Sequence, residues 1–442
     1  MPPSIKSFLK LLKRNPKLAK LALKASTALP SSGITFVDNS QGASAAVAEL
    51  SDVLSAVLEQ VDIDGEVNSQ IKALVEKLDD EASEYDNSQL KEEQCADWSC
   101  NRKQARLISI AWKCAHDAYN PPPPRSSHLL SHDFQDCILT QDHITTPSAG
   151  GTVKAVTFTS VTPREASSTS TFLPVLIVAI RGTKSPVDHM VNINNQPRDA
   201  TSFINTTRFQ PNTIPLNASL QAHSGFLESA ISLDQIVQRK IDEYAKQRDG
   251  SSHVLFAGHS AGGAVASLLF LRCLSLETQD LARFSCITFG APPVVSMPVS
   301  IPSFAGVCLN IINEFDLVTR ADKPYILSLV NLLRLTHGQY PLPNEGTDDT
   351  ETSSLTNDYT SDDNNWPLPP SMYRHVGPKI MFLMRLPDQG GSLQLRTVEV
   401  PTAQFEKLLF CRTPVHRRPC YTQRVELLAD GRFNGANGWD SS

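Results

Sequence analysis

The chain has 442 residues, 40% of them hydrophobic and 19% charged, with a net charge of -6. That apolar fraction supports a sizeable core and excludes wholesale disorder, and the weakly acidic balance excludes a strongly basic nucleic-acid binder. The longest apolar run, Phe172 to Ile180, is far shorter than the ~20 residues of a membrane-spanning helix.

The first thirty residues contain no acid, and Lys10, Lys13, Arg14, Lys17, Lys20 and Lys24 break up the leucines. A secretory signal needs an uninterrupted apolar stretch, so none is expected here. Ile5, Phe8, Leu9 and Leu12 follow helical spacing, which makes residues 1–30 a basic amphipathic or solvated segment suited to peripheral contact with an anionic membrane. The expected location is therefore cytoplasmic, at a membrane surface or lipid droplet. Val47, Leu50, Leu54, Val57 and Val61, then Val67, Ile71, Leu74 and Leu78 after Gly65, repeat at steps of three and four. This predicts a helical hairpin within an extension over 31–100.

From residue 101 the texture becomes alternating. A helix is predicted over Asn101–Tyr119, stopped by Pro121 to Pro124. Strands follow at Asp136–Leu139, Thr152–Ser160 and Leu173–Ile180, the last apolar enough to be buried on both faces. Next come a helix near Gly225–Arg248, a strand at Val254–Ala257, a helix over Ala261–Leu276, and strands at Ser285–Phe289, Cys308–Ile312 and Ile380–Leu383. Alternating strands and helices predict an α/β fold with a mostly parallel central sheet, over 101–435, followed by a tail over 436–442. Two polar stretches interrupt it. One is Lys184–Ala222; the other is Pro341–Pro370, which holds seven acids and no basic residue and reads as a solvated loop. Nine cysteines, an odd number without zinc-ligand spacing, predict free thiols, with neither metal nor cofactor.

The sharpest feature is Gly258-His259-Ser260-Ala261-Gly262. The five residues alone are weak evidence, but an apolar strand precedes them and a small-residue helix follows. That strand–turn–helix context is the one a nucleophile elbow requires, with Ser260 on a tight turn and Gly258 and Gly262 allowing close approach. His259 is expected to pack beside the elbow.

Together with Ile180-Arg-Gly-Thr183, His223-Ser-Gly-Phe-Leu227, Phe289-Gly-Ala-Pro292 and Asn313-Glu-Phe-Asp-Leu-Val318, the elbow resembles the class 3, fungal-type lipases of the α/β-hydrolase superfamily. The resemblance covers roughly residues 100–435. It implies an α/β-hydrolase fold, to which the N-terminal helical extension read from periodicity is added, and a serine hydrolase that cleaves carboxylic esters of acyl lipids. In the order Ser, Asp, His, the acid is Asp316, with Asp322 and Glu314 as substitutes. The base is His416, near the C-terminus with Tyr421 after it; His375 is the alternative and His337 a distant third. The oxyanion donors are the Ala261 N–H and, by the resemblance, Thr183. Lys184–Ala222 is where such enzymes carry a lid, and here it is more polar than a minimal one. After Arg181-Gly-Thr183 the run is Asp188–Asn194, in which the aromatic of the family's Asp-Trp is missing and the second acid has become Asn or Ile, and Pro293 stands where the family has Arg. A phospholipase on the same scaffold and a catalytically inactive binding module remain alternatives. Acyl lipid is the expected partner; oligomeric state is not legible.

Overall fold

The computed structural model describes residues 78–120, 137–147, 153–164, 172–182, 196–205, 207, 219–247, 252–276, 282–336, 364–387, 393–412 and 414–434. The basic segment 1–30, the hairpin periodicity up to Leu74, Thr183, His337, most of the two polar stretches and the tail lie outside them.

A two-residue strand, β1 (Ala96–Asp97), leads to helix α1 (Arg102–Asp117). The helix starts where Asn101 caps it: its side chain accepts from the Gln104 N–H at 2.9 Å, and the Gln104 side chain accepts from the Asn101 N–H at 3.2 Å. Strands β2 (Cys137–Pro147), β3 (Val153–Pro163) and β4 (Val175–Ile180) follow. Strands β5 (Pro197–Asp199) and β6 (Gln221–His223) form a separate antiparallel pair, and β6 runs into α2 (Ser224–Lys246). Then come β7 (Ser252–His259), α3 (Ala261–Ser275), β8 (Ala282–Phe289), β9 (Cys308–Asn313) and α4 (Lys323–Thr336). Strands β10 (Lys379–Pro387) and β11 (Leu393–Pro401) and helix α5 (Arg418–Ala429) complete the domain.

The main sheet has the order β1-β11-β10-β9-β8-β7-β4-β3-β2. Strands β4, β7, β8, β9 and β10 are mutually parallel, and the pairs at both edges are antiparallel. Alternate residues of the central strands enter two cores. Leu176, Val178, Ile180, Val254 and Phe256 pack against α2 and α3. Val175, Ile177, Ala179, Leu255, Ala257 and Phe289 pack against α1 and α5. This is the period-2 geometry of a strand covered on both faces. Each fully buried Leu, Ile or Phe contributes about 1.5–3 kcal/mol over exposure.

Several features depart from the sequence expectations. Strands β1 and β11 and helix α4 were not foreseen. In the extension, residues 78–82 are helical, but Asp86–Ser88 and Glu92–Gln94 are short 3-10 turns and β1 pairs with β11. The last part of the expected hairpin extension is thus an edge of the catalytic sheet. Within the polar stretch 184–222, Ala200, Phe203, Ile204 and Leu220 are buried in the core shared with α3, so these described parts are anchored. At the end of the acidic stretch, Trp366 is buried and its indole N–H donates to Ser328 Oγ at 2.7 Å, so this end is packed rather than solvated.

Candidate active site

The elbow lies between β7 and α3. Ser260 has φ 56° and ψ -136°, a left-handed conformation that L-residues rarely adopt. Such strain costs of order 1–3 kcal/mol and persists only where the surroundings over-determine it. They do so here. A Cβ on Gly258 would sit 2.4 Å from the Gly262 carbonyl carbon, and one on Gly262 would sit 2.3 Å from the Ile180 carbonyl oxygen. The Ser260 N–H also donates to the Phe289 carbonyl at 2.9 Å. Ala261 opens α3, and a first-turn N–H has no intrahelical acceptor. Thr183 is not described, but Gly182 just before it lies against the elbow: a Gly262 Cβ would be 2.8 Å from its nitrogen.

Asp316 follows β9 and is fully buried. Its Oδ1 accepts from the Val318 N–H at 3.0 Å, capping the 3-10 turn Leu317–Arg320. His416 Nδ1 lies 2.8 Å from Oδ2 and 3.1 Å from Oδ1. A carboxylate only accepts, so Nδ1 carries the proton and neutral His416 keeps its lone pair on Nε2. The Tyr421 hydroxyl donates to Asp316 Oδ2 at 2.8 Å while accepting from the Asn313 N–H at 3.2 Å. Burial, with the nearby Asp316 charge, pushes the Tyr421 phenol well up, so it stays a donor. Gly290 has φ 56°, and a Cβ there would meet the Tyr421 hydroxyl at 2.6 Å and Asp316 Oδ2 at 2.8 Å. This fixes the need for glycine in the Phe289–Pro292 block.

His259 ties His416 to Ser260. Its ring stacks on His416 with centroids 4.8 Å apart. Its Nε2 donates to the His416 carbonyl at 3.0 Å, so its Nδ1 accepts from the Tyr119 hydroxyl, also at 3.0 Å. Burial, then the neighbouring His416, holds the His259 pKa well below its usual value, and it remains neutral. Asn313 Nδ2 donates to the Val415 carbonyl at 2.7 Å. The backbone at 415–416 is therefore held from two sides. Ser260 itself adjoins His259, so elbow, base and acid share one end of β7, β8 and β9.

The alternatives are occupied elsewhere. His375 Nε2 donates to the Thr319 carbonyl at 2.8 Å, and its ring packs edge-on against Phe405. Glu314 pairs with Arg424 of α5 inside the domain, one contact measuring 2.6 Å. Asp322 caps α4, accepting from the Tyr325 N–H at 3.0 Å and the Met372 N–H at 2.7 Å. The role of Tyr119 carries no motif signal in the sequence; Asn313 opens the Asn313–Val318 block, but its bond to the Val415 carbonyl emerges only from the fold.

Residues 177–325 match the family model for lipase (class 3). No curated protein sequence matches the chain. Among solved structures, the chain is similar to the Lip2 lipase from Yarrowia lipolytica at 13% identity, TM-score 0.40, over 70% of this chain and 86% of that one. It is similar to a mono- and diacylglycerol lipase from Aspergillus oryzae at 13% identity and TM-score 0.39, over 72% and 96%. A Rhizomucor miehei lipase propeptide complex matches at 15% identity and TM-score 0.37, over 72% and 82%.

Burial lowers the His375 pKa from 6.5 to about 4. Between those values the unfolded chain binds a proton that the folded chain does not. The stability tied to neutral His375 is complete above pH 6.5 and is lost as pH falls toward 4, by roughly 3 kcal/mol. His375→Gln should flatten the pH dependence of urea unfolding across that window while ester turnover persists. Collapse of turnover in this variant would move the base to His375.

Proposed function

We propose that this chain, whose residues 177–325 match the class 3 lipase family model, hydrolyses carboxylic ester bonds of acyl lipids through an acyl-enzyme on Ser260. The observation that carries the site assignment is the buried Asp316–His416 pair, stacked on the residue that precedes a strained serine.

On this reading the steps run as in other serine hydrolases. Ser260 Oγ attacks the ester carbonyl as its proton passes to His416 Nε2. Asp316 stabilises the imidazolium and fixes its tautomer. The oxyanion accepts from the Ala261 N–H and from Thr183. His416 returns the proton to the leaving alcohol, and the C–O bond breaks to give the acyl-enzyme. Water, deprotonated by His416, then attacks, releasing the fatty acid and restoring Ser260. On this reading the basic segment 1–30 serves as a contact with the lipid surface.

A fluorophosphonate probe should label the wild-type chain and leave Ser260→Ala unlabelled. His416→Ala should reduce p-nitrophenyl ester kcat by ~10³-fold or more. A folded wild type that resists labelling would overturn the enzyme reading.

One observation favours a second reading, phospholipid hydrolysis on the same scaffold. Arg417 caps α5 and Arg418 is its first residue, and its first turn holds no acid. Cations there oppose the helix dipole. Among the described residues, neither guanidinium has a carboxylate partner; Arg418 instead lies over the Tyr119 ring at 4.2 Å. Two cationic residues follow His416 directly in the chain, and a phosphate-bearing headgroup would offset their charge. In neutral-detergent micelles, the double variant Arg417→Gln/Arg418→Gln should lower the ratio of phosphatidylglycerol to diacylglycerol hydrolysis by about tenfold. An unchanged ratio would leave neutral glycerides as the substrate.

A further inference from the structure

The acid and the base are both held by one short stretch of chain. Residue 412 lies in register with Asp316 as an isolated parallel bridge. The Arg412 N–H donates to the Phe315 carbonyl at 3.0 Å, and the Leu317 N–H donates to the Arg412 carbonyl at 3.2 Å. Asp316 is thus bracketed on both sides by Arg412, which ends the stretch 407–412 and stands four residues before His416. Phe315 needs this support. Its φ is 56°, a position of strain for an aromatic residue. The Arg412 guanidinium lies 4.9 Å over its ring, and Phe410 packs edge-on against it.

What braces the bracketing stretch is the part of the chain ahead of α1. The Leu409 N–H donates to the Asn87 carbonyl at 2.8 Å. The Asn87 side chain fixes that carbonyl: Nδ2 donates to the Trp366 carbonyl at 2.9 Å and the Lys407 carbonyl at 3.3 Å, and Oδ1 accepts from the Trp366 N–H at 3.0 Å. Leu78 and Ala82 enter one buried cluster with Leu317, Leu409 and Cys411, which are the neighbours of Asp316 and Arg412. Asp79 meets the Arg412 guanidinium at 3.4 Å. Further along, β1 closes the sheet on β11.

We infer that residues 78–97 are a positioning strap for the triad, with Asn87 as its anchor: they hold the 407–412 stretch in place and so set the Asp316–His416 contact. The inference rests on the Ser260–Asp316–His416 reading, and it makes a segment outside the matched family region a requirement for turnover. Asn87 is a positioning residue and touches no reacting atom. An exposed ion pair such as Asp79–Arg412 adds little stability by itself, so its role is geometric.

The test uses the full chain. In Asn87→Ala, p-nitrophenyl butyrate kcat should fall about tenfold with KM little changed, because an interaction that acts only through the base is lost in the transition state. The downfield proton resonance expected in wild type from the His416–Asp316 hydrogen bond should broaden or vanish. Asn87→Asp keeps the acceptor for the Trp366 N–H and should fall between the two. Val237→Ala, in the α2 core away from the strap, controls for stability: a comparable drop in Tm should leave kcat and the resonance unchanged. If Asn87→Ala fails to fold, Arg412→Gln, which removes the Asp79 pair and the Phe315 stack, should reproduce the kcat loss several-fold. Retention of kcat and of the resonance in the folded variants would overturn the strap. Absence of both the resonance and fluorophosphonate labelling in wild type would instead overturn the triad reading beneath it.

Discussion

A carboxylate without exposed surface is tolerable only when its oxygens are fully used, and Asp316 meets that condition with three donors: a backbone N–H, an imidazole N–H and a phenol. Burying it unpaired would cost several kcal/mol or drive it to the neutral acid. Each donor comes from a different element, so the charge can be buried only when β9, the 3-10 turn after it, the His416 turn and α5 have all docked. Assembly of this candidate site and completion of the fold are thereby the same event. The buried Glu314–Arg424 pair, two residues before Asp316 and three after Tyr421, ties the same elements a second time. Breaking such a pair from one side is costly, which keeps α5 in place.

The rest of the site is built around close backbone approach. The elbow needs β4 and β7 to run against α3 with no side chain between them, and Gly262 and Gly258 respectively supply that. The base needs room for the Tyr421 hydroxyl beside Asp316, and Gly290 supplies that. His259 then couples the two halves, neutral and buried, through a carbonyl of the base and the hydroxyl of Tyr119. Its tautomer is dictated by its partners, so it acts as a fixed spacer rather than a competing base.

Legibility in the sequence followed the range of the signal. The elbow was readable because its signal is local: five residues plus an apolar strand and a small-residue helix. The central strands were readable because burial on both faces demands continuous Val, Ile and Leu. His416 and His375 were separable only through the family resemblance; composition places both near strands or turns. Strand β11 escaped although Leu393 and Leu395 alternate with Gln394 and Arg396, and Val398 and Val400 with Thr397 and Glu399, because a short alternation that changes face next to an unplaced loop does not declare its partner. Tyr119, Asn313 and Asn87 escaped for a stronger reason. Their hydrogen bonds span from 102 to 320 positions of sequence, and no spacing rule reaches that far. The extension was read as helical from its periodicity, yet its last part is held by backbone bonds to the 407–412 stretch and by β1. Tertiary pairing, not propensity, decided its conformation.

The most direct test of the central claim is a crystal structure of the chain inhibited with an alkyl phosphonate. The account predicts phosphorus bonded to Ser260 Oγ and the phosphoryl oxygen on the Ala261 N–H. It also predicts His416 Nε2 within ~3.2 Å of Oγ, with Nδ1 still on Asp316. Phosphorus on another side chain, or a His416 ring turned away from Asp316 in the adduct, would contradict it.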